Sequence, residues 1–322
     1  MATIWLPFEK DIQDLESTLA RLESTGGAES TAEEVRRIRK ELTNLKRKKY
    51  GALHPWEAVQ VCRHPDRPQT LDYVNLIFDD FVELHGDRAF GNDRAIRTGF
   101  ARIGDQKALL VGHQKGHSLK ERTECFYGCA HPEGYRKALG KMKLAAKFGL
   151  PVICLIDTPG AYPGIGAEER GQAQLIATSI FEMARLPTPI VCVVIGEGGS
   201  GGALGIGVGD RVSMLEHAYY SVISPEGCAG ILWKVADDQT KRRAAAALRM
   251  TARDLKGLGV IDDIIPEPLG GAHRDPREMG NTLRSYLLRY LRELVSLPTD
   301  ELLDRRFRKF RGLGVFDEVS TQ

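Results

Sequence analysis

From Pro132 onward one pattern occurs twice in succession: a helix, a short turn, a buried strand and a glycine-rich loop. The first unit runs from a Tyr135–Phe148 helix into strand Val152–Asp157 and the loop Thr158–Gly166. The second runs from a Glu168–Arg185 helix into strand Ile190–Ile195 and the loop Gly196–Gly202, followed by a helix of small residues. Strands that are apolar throughout must be covered on both faces, and helices between them imply parallel pairing through right-handed crossovers. An α/β chain of this kind carries its chemistry at the C-terminal ends of the strands, where both glycine loops lie.

The flanking sequence is more helical. Leu15, Leu19 and Leu22, then Val35, Ile38, Leu42 and Leu45, recur at helical spacing and predict an N-terminal hairpin, its second helix starting at a Thr31/Glu34 capping box. Leu71, Val74, Phe78 and Phe81 predict another helix that stops at Gly86. Phe100–Ile103 and Ala108–Gly112 flank Gly104-Asp105 and read as an antiparallel pair. Val212–Leu215 and Tyr219–Ile223 are strand-like, and Pro225 suits a first helical turn. An amphipathic helix, Asn281–Leu297, precedes a basic stretch of Arg305, Arg306, Arg308, Lys309 and Arg311, which reads as a solvated face. The expected organisation is a hairpin and linker over 1–64, a core over 65–268 and a C-terminal helical segment over 269–322.

Composition excludes several classes. Lys and Arg number 45 against 43 Asp and Glu, so no basic field marks a DNA or RNA partner. Apolar runs such as Val152–Ile156 fall far short of the roughly 20 residues that cross a bilayer. The first ten residues lack the features of an export signal, and a cytoplasmic location is expected. Cys154 and Cys192 lie in apolar strands and read as structural thiols.

The loop Gly196–Gly202 matches more than one signature. Gly196-Glu-Gly198-Gly-Ser200-Gly201 fits a dinucleotide-binding pattern with Glu216 about twenty residues on, which is an NAD oxidoreductase reading. Gly198-Gly-Ser200-Gly-Gly202 also fits the nucleophile elbow of a serine hydrolase, with His217 or His273 as nominal partners. What the signatures share is an anion hole: glycines expose backbone N–H groups at a helix start, where the dipole favours negative charge. His113, His117, Cys125, Cys129 and His131 are potential zinc ligands, but their spacing is irregular and no metal is expected.

Longer strings decide between these readings. GHQKG at 112–116, PEGYRKA at 132–138, IDTPGAYPG at 156–164, GAEERGQ at 166–172, GEGGSGGAL at 196–204, YSVISPEGCA at 220–229 and EPLGGAHRDP at 267–276 occur in order. On these motifs the chain resembles the carboxyltransferase alpha-subunit family of bacterial multisubunit acetyl-CoA carboxylase, over nearly its whole length.

The resemblance implies a crotonase-type (ClpP/crotonase-like) fold, a spiral of strand-strand-helix units with an N-terminal helical hairpin and C-terminal helices. It implies transfer of a carboxyl group from carboxybiotin to acetyl-CoA, giving malonyl-CoA in the first committed step of fatty acid biosynthesis. The implied partners are a beta subunit with a zinc ribbon in an alpha2-beta2 complex, the biotin carboxyl carrier protein, and biotin carboxylase in the wider assembly. Zinc belongs to the beta partner, and this chain binds no cofactor of its own. Carried over by position, the backbone amides of Gly201 and Gly202 form the oxyanion hole, and Thr158, Pro159, Gly160, Ala161, Tyr162, Gly198, Gly199 and Ala203 line the carboxybiotin pocket. One segment departs: the family has a basic stretch before PEGYRKA, whereas Glu124-Cys-Phe-Tyr-Gly-Cys-Ala-His131 stands here.

Overall fold

The computed structural model describes residues 4–24 and 29–315. Helix α1 (Lys10–Ser24) packs on α2 (Glu29–Gly51) through Ile12 and Leu42, with Leu15, Leu19 and Leu45 around them. The second helix is already formed by Glu29, so Thr31 lies inside it; no glycine or proline between Glu29 and Thr31 stops the helix from extending back. The hairpin is stitched to the far end of the chain. Glu9 is fully buried, and its Oε1 accepts from the Tyr50 hydroxyl at 2.7 Å and the Arg274 guanidinium at 2.9 Å.

Helices α3 (Pro55–Cys62) and α4 (Thr70–Ile77) follow, joined by a connection that Arg67 anchors. The buried Arg67 guanidinium donates to both oxygens of Glu267 and to the Ile195 carbonyl, while Glu267 also accepts from the His217 and Ala272 N–H groups. Burial pushes the Glu267 carboxyl up, but Arg67 and His217 outweigh it and hold the group at about 2, against its ordinary 4.5. A carboxyl whose pKa falls on folding stabilises the fold above its unfolded value and loses that contribution as pH drops towards the folded one. Acid unfolding between about pH 4.5 and 2 should therefore draw on this group. Denaturant midpoints measured across that window should fall less steeply for Glu267→Gln, which should also be less stable at pH 7. An equally steep slope in the variant would assign the acid loss to other carboxylates.

The helical spacing through Phe81 does not persist past Ile77. Phe78 turns to extended backbone, and Asp79–Glu83 becomes β1, paired antiparallel with β2 (Ile96–Ile103). Cross-strand pairing overrides local periodicity here, because it supplies hydrogen bonds that a frayed helix end lacks. β2 turns through Gly104-Asp105 into β3 (Gln106–His113) in the expected antiparallel register. Then come α5 (Leu119–Glu124), α6 (Pro132–Lys147) and β4 (Val152–Thr158). The expected Glu168–Arg185 helix is split into α7 (Ile165–Glu169) and α8 (Gln172–Arg185), because Gly171 takes a left-handed φ of 81° between them. β5 (Ile190–Gly199) continues four residues beyond the expected strand, so half of the glycine loop is strand, and α9 (Ser200–Leu204) starts directly after it. β6 (Arg211–Leu215), β7 (Tyr219–Ser221), α10 (Pro225–Trp233), α11 (Asp238–Leu248), α12 (Ala252–Gly257), β8 (Asp263–Ile265), α13 (Pro276–Val295) and α14 (Thr299–Arg311) complete the described chain.

Among the described residues the strands form one sheet in the order β1-β2-β3-β4-β5-β6-β8. β1, β2 and β3 are antiparallel; from β3 to β8 the neighbours run parallel. β4 and β5 are buried at every position and form the centre, as their unbroken apolar runs require. β5 forks: Val191–Val194 pair with β6, and Glu197–Gly199 pair with β7. Met279, Leu283, Leu287, Tyr290, Leu291 and Leu294 of α13, with Leu302 of α14, pack into the same core as the sheet. No described helix is long and apolar enough to cross a membrane.

The basic stretch near the C-terminus is not uniformly solvated. Arg305 and Arg308 stay exposed on α14, but the Arg306 side chain is 0% exposed. Its guanidinium donates to both oxygens of Asp210 at 2.8 and 2.7 Å and to the carbonyls of Met183, Leu186 and Thr188 at 2.7 to 2.9 Å. Those carbonyls belong to the end of α8 and the turn into β5, and a fork of five N–H donors matches them together with one carboxylate.

Candidate functional site at the ends of the central strands

The C-terminal ends of β4 and β5 lie side by side, Thr158 opposite Gly198. The Thr158 hydroxyl donates to the Gly160 carbonyl at 2.8 Å and accepts from the Gly160 N–H at 3.1 Å, folding the chain tightly after the strand. The segment 196–202 runs against this turn backbone to backbone. A Cβ on Gly199 would sit 2.1 Å from the Pro159 carbonyl oxygen, and one on Gly202 would sit 2.5 Å from the Gly160 carbonyl carbon. Gly201 differs, since among the described residues a Cβ there would meet only Ile176, at 3.5 Å. The glycine run therefore serves close packing at Gly199 and Gly202 and leaves Gly201 on the open side.

After Gly199 the chain turns sharply at Ser200, which holds a left-handed φ of 49°, and enters α9 with no side chain capping its first turn. First-turn N–H groups have no partner within their own helix, so Ser200, Gly201 and Gly202 present donors at this junction. Ser200 and Gly201 line an apolar cavity of about 380 Å³ whose walls include Leu204, Val208, Tyr220 and Val260. Mostly apolar walls with a few placed polar groups are the usual make-up of a small-molecule site.

The other expected pocket residues are distributed around this junction. Pro159 is exposed and Ala161 half-buried; Gly198 and Gly199 are buried strand residues paired with β7, and Ala203 is fully buried. Tyr162 is half-buried, its N–H donating to the Ala130 carbonyl and its ring stacked on His131 at 4.0 Å with Phe126 edge-on at 5.7 Å. The divergent segment 124–131 is thus packed against the turn after β4, and Phe126, Tyr127 and Gly128 all take left-handed φ.

The alternative readings of the loop fare differently. Ser200 has the strained turn of a nucleophile elbow, but among the described residues no histidine or carboxylate lines its cavity. His217 is buried against Tyr50 and His273 stacks on His64 at 3.8 Å. Glu216, the acid of the dinucleotide pattern, pairs with Arg253, while Gly198 and Gly199 are engaged in the sheet rather than open to a pyrophosphate. The zinc candidates also go separate ways. His113 is fully buried, with burial pushing it down to about 3; His117 pairs with Asp72 at 2.7 Å, and Cys125 lies 4.0 Å from an Arg97 nitrogen. Among the described residues no three His, Cys, Asp or Glu side chains are grouped to hold a metal.

One cluster carried no role in the sequence reading. Lys115, Asp157, Glu197, Tyr219, Arg63 and Glu226 form a continuous hydrogen-bonded chain beneath the junction. Burial pushes the Glu197 carboxyl up, but Lys115 and Arg63 hold it at about 2. An acid at the end of each of two otherwise apolar strands was the signal available for it.

Comparison with known proteins identifies the family. The family described as acetyl co-enzyme A carboxylase carboxyltransferase-like matches residues 5–314. The acetyl-coenzyme A carboxylase carboxyl transferase subunit alpha of Rhodopirellula baltica is 59% identical over 321 residues, covering 99% of this chain and 100% of the relative. That of Methylococcus capsulatus is 52% identical over 319 residues, covering 98% and 99%. Among solved structures, a transcarboxylase 12S with hydrolysed methylmalonyl-coenzyme A bound superposes with a TM-score of 0.55 at 21% identity, over 73% of this chain and 44% of that one. At that identity the likeness is one of fold, and the fold is the crotonase-like type.

Proposed function

The chain belongs to the acetyl-CoA carboxylase carboxyltransferase family, and from that premise we propose how its strand-end junction takes part in carboxyl transfer. It is the alpha-type subunit of an enzyme that moves a carboxyl group from carboxybiotin to acetyl-CoA, in a multisubunit complex with a beta subunit. In this reaction the N–C bond of carboxybiotin breaks, a C–C bond forms at the acetyl methyl carbon, and the methyl proton passes to the ureido nitrogen. Negative charge builds on the ureido oxygen as the carboxyl group leaves and on the thioester oxygen as the enolate forms.

The observation that carries the reading is the uncapped first turn of α9, set rigidly against the turn after β4 and opening on the apolar cavity. The Gly201 and Gly202 amides receive the ureido oxygen, and the cavity takes the apolar faces of the biotin ring. Fixed donors of this kind stabilise the charge that develops without reorganising during the reaction. The thioester oxygen falls to a second hole on the beta subunit, so neither subunit holds a complete site. The carrier protein delivers the biotin, and zinc is confined to the beta partner.

Reconstitution tests this directly. Malonyl-CoA decarboxylation with biocytin as acceptor should be negligible for the isolated chain and restored on adding a zinc-ribbon beta subunit. Robust turnover by this chain alone would reject a shared site.

A further inference from the structure

One group of buried charges that this mechanism leaves unused converges on a single side chain. The Lys115 ammonium lies 2.6 Å from Asp157 Oδ1 and 2.6 Å from Glu197 Oε1, and the three side chains are only 17%, 6% and 8% exposed. Asp157 is next to last in β4, and Glu197 stands three residues before Ser200 in β5. Asp157 Oδ1 also accepts the Glu197 N–H at 2.9 Å. The second Glu197 oxygen accepts from the Tyr219 hydroxyl at 2.5 Å and Arg63 Nε at 2.7 Å, and Arg63 reaches on to Glu226 at 2.6 Å. Segments that are distant in sequence, β4, β7, α10 and the residues just past β3 and α3, are thereby tied to the end of β5.

We infer that Lys115 is a positioning residue for the strand-end junction, bridging Asp157 and Glu197 and so setting the spacing between the turn after β4 and the Gly201 and Gly202 amides. The inference rests on the carboxyltransferase reading of that junction. Downstream of the bridge the two segments approach backbone to backbone at Gly199/Pro159 and Gly202/Gly160, so a shift at the bridge passes into the amides. Without the ammonium nothing bridges the two acids and their spacing is no longer fixed, while the charge left unpaired is a separate cost to stability. Burial lowers the lysine's pKa but the two carboxylates more than offset it, so the group is held in its charged form.

The test uses the full-length chain reconstituted with its beta partner. Lys115→Met should lower kcat about 100-fold with KM for malonyl-CoA within about threefold, because a displaced amide costs transition-state stabilisation rather than substrate binding. Lys115→Met also leaves a charge uncompensated, so the charge-balanced double variant Lys115→Met/Asp157→Asn serves as the control; the asparagine oxygen still accepts the Glu197 N–H. In the double variant the thermal midpoint should return towards wild type while kcat stays low. Amide exchange across residues 196–204 should be faster than wild type in both variants. Recovery of kcat together with the midpoint, or unchanged exchange, overturns the inference. A wild-type complex without turnover would instead overturn the carboxyltransferase reading, and the exchange measurement would still decide the role of Lys115.

Discussion

Gly202→Val should lose at least about 100-fold in turnover in the reconstituted complex, the typical cost of one oxyanion donor. The added Cβ would sit 2.5 Å from the Gly160 carbonyl carbon and 2.6 Å from the Ala161 nitrogen, both backbone atoms that no side-chain rotation can move aside. Either α9 or the turn after β4 must shift, and the amides leave their place. Gly201→Ala meets Ile176 at 3.5 Å, an ordinary contact, and keeps its N–H, so its turnover should stay within about tenfold. Ser200→Ala should also stay within about tenfold, because the serine contributes a turn and an amide rather than a nucleophile. Co-elution with the beta subunit controls for assembly. A dead Ser200→Ala beside an active Gly202→Val would reject the backbone anion hole and restore the nucleophile elbow.

Arg306→Met should cost about 3 to 5 kcal/mol of stability, the range for breaking a buried ion pair by removing one partner. The loss has two parts. Asp210, 4% exposed, is left charged without its cation, and the carbonyls of Met183, Leu186 and Thr188 lose their donors. Asp210 also accepts the Ile190 N–H at the start of β5, so the damage reaches the central strand. Adding Asp210→Asn removes the unpaired charge but not the orphaned carbonyls. The double variant should therefore recover part of the loss and no more, which denaturant midpoints of the three proteins will show. A single variant as stable as wild type would mean that α14 is held by Leu302 and its neighbours alone.

The repeated unit, the N-terminal hairpin and the antiparallel pair about Gly104-Asp105 were legible in the sequence because each is written in near neighbours. Short apolar runs bounded by glycine and proline turns fit buried strands, and spacings of three and four place residues on one helix face. The long motifs went further and identified the family, and the glycine run suggested an anion hole from residue type alone. Where the structure departs from that reading, the deciding partner is distant. Phe81 leaves its helical spacing because Asp79–Glu83 finds β2 to pair with. Gly199 and Gly202 are required by the turn after β4, some forty residues earlier, whereas Gly201 between them is not, and one residue type carries no mark of which duty it serves. Arg306 looked like one cation in a solvated run until the fold brought it to Asp210 and the turn after α8. Lys115 and Glu197 are 82 positions apart and become partners only because parallel strands bring their C-terminal ends to one edge. Sequence by itself determined the elements and the kind of chemistry, since both follow from local pattern and residue type. Tertiary structure decided which buried charges meet and which glycines must stay bare, because those depend on how distant segments cross.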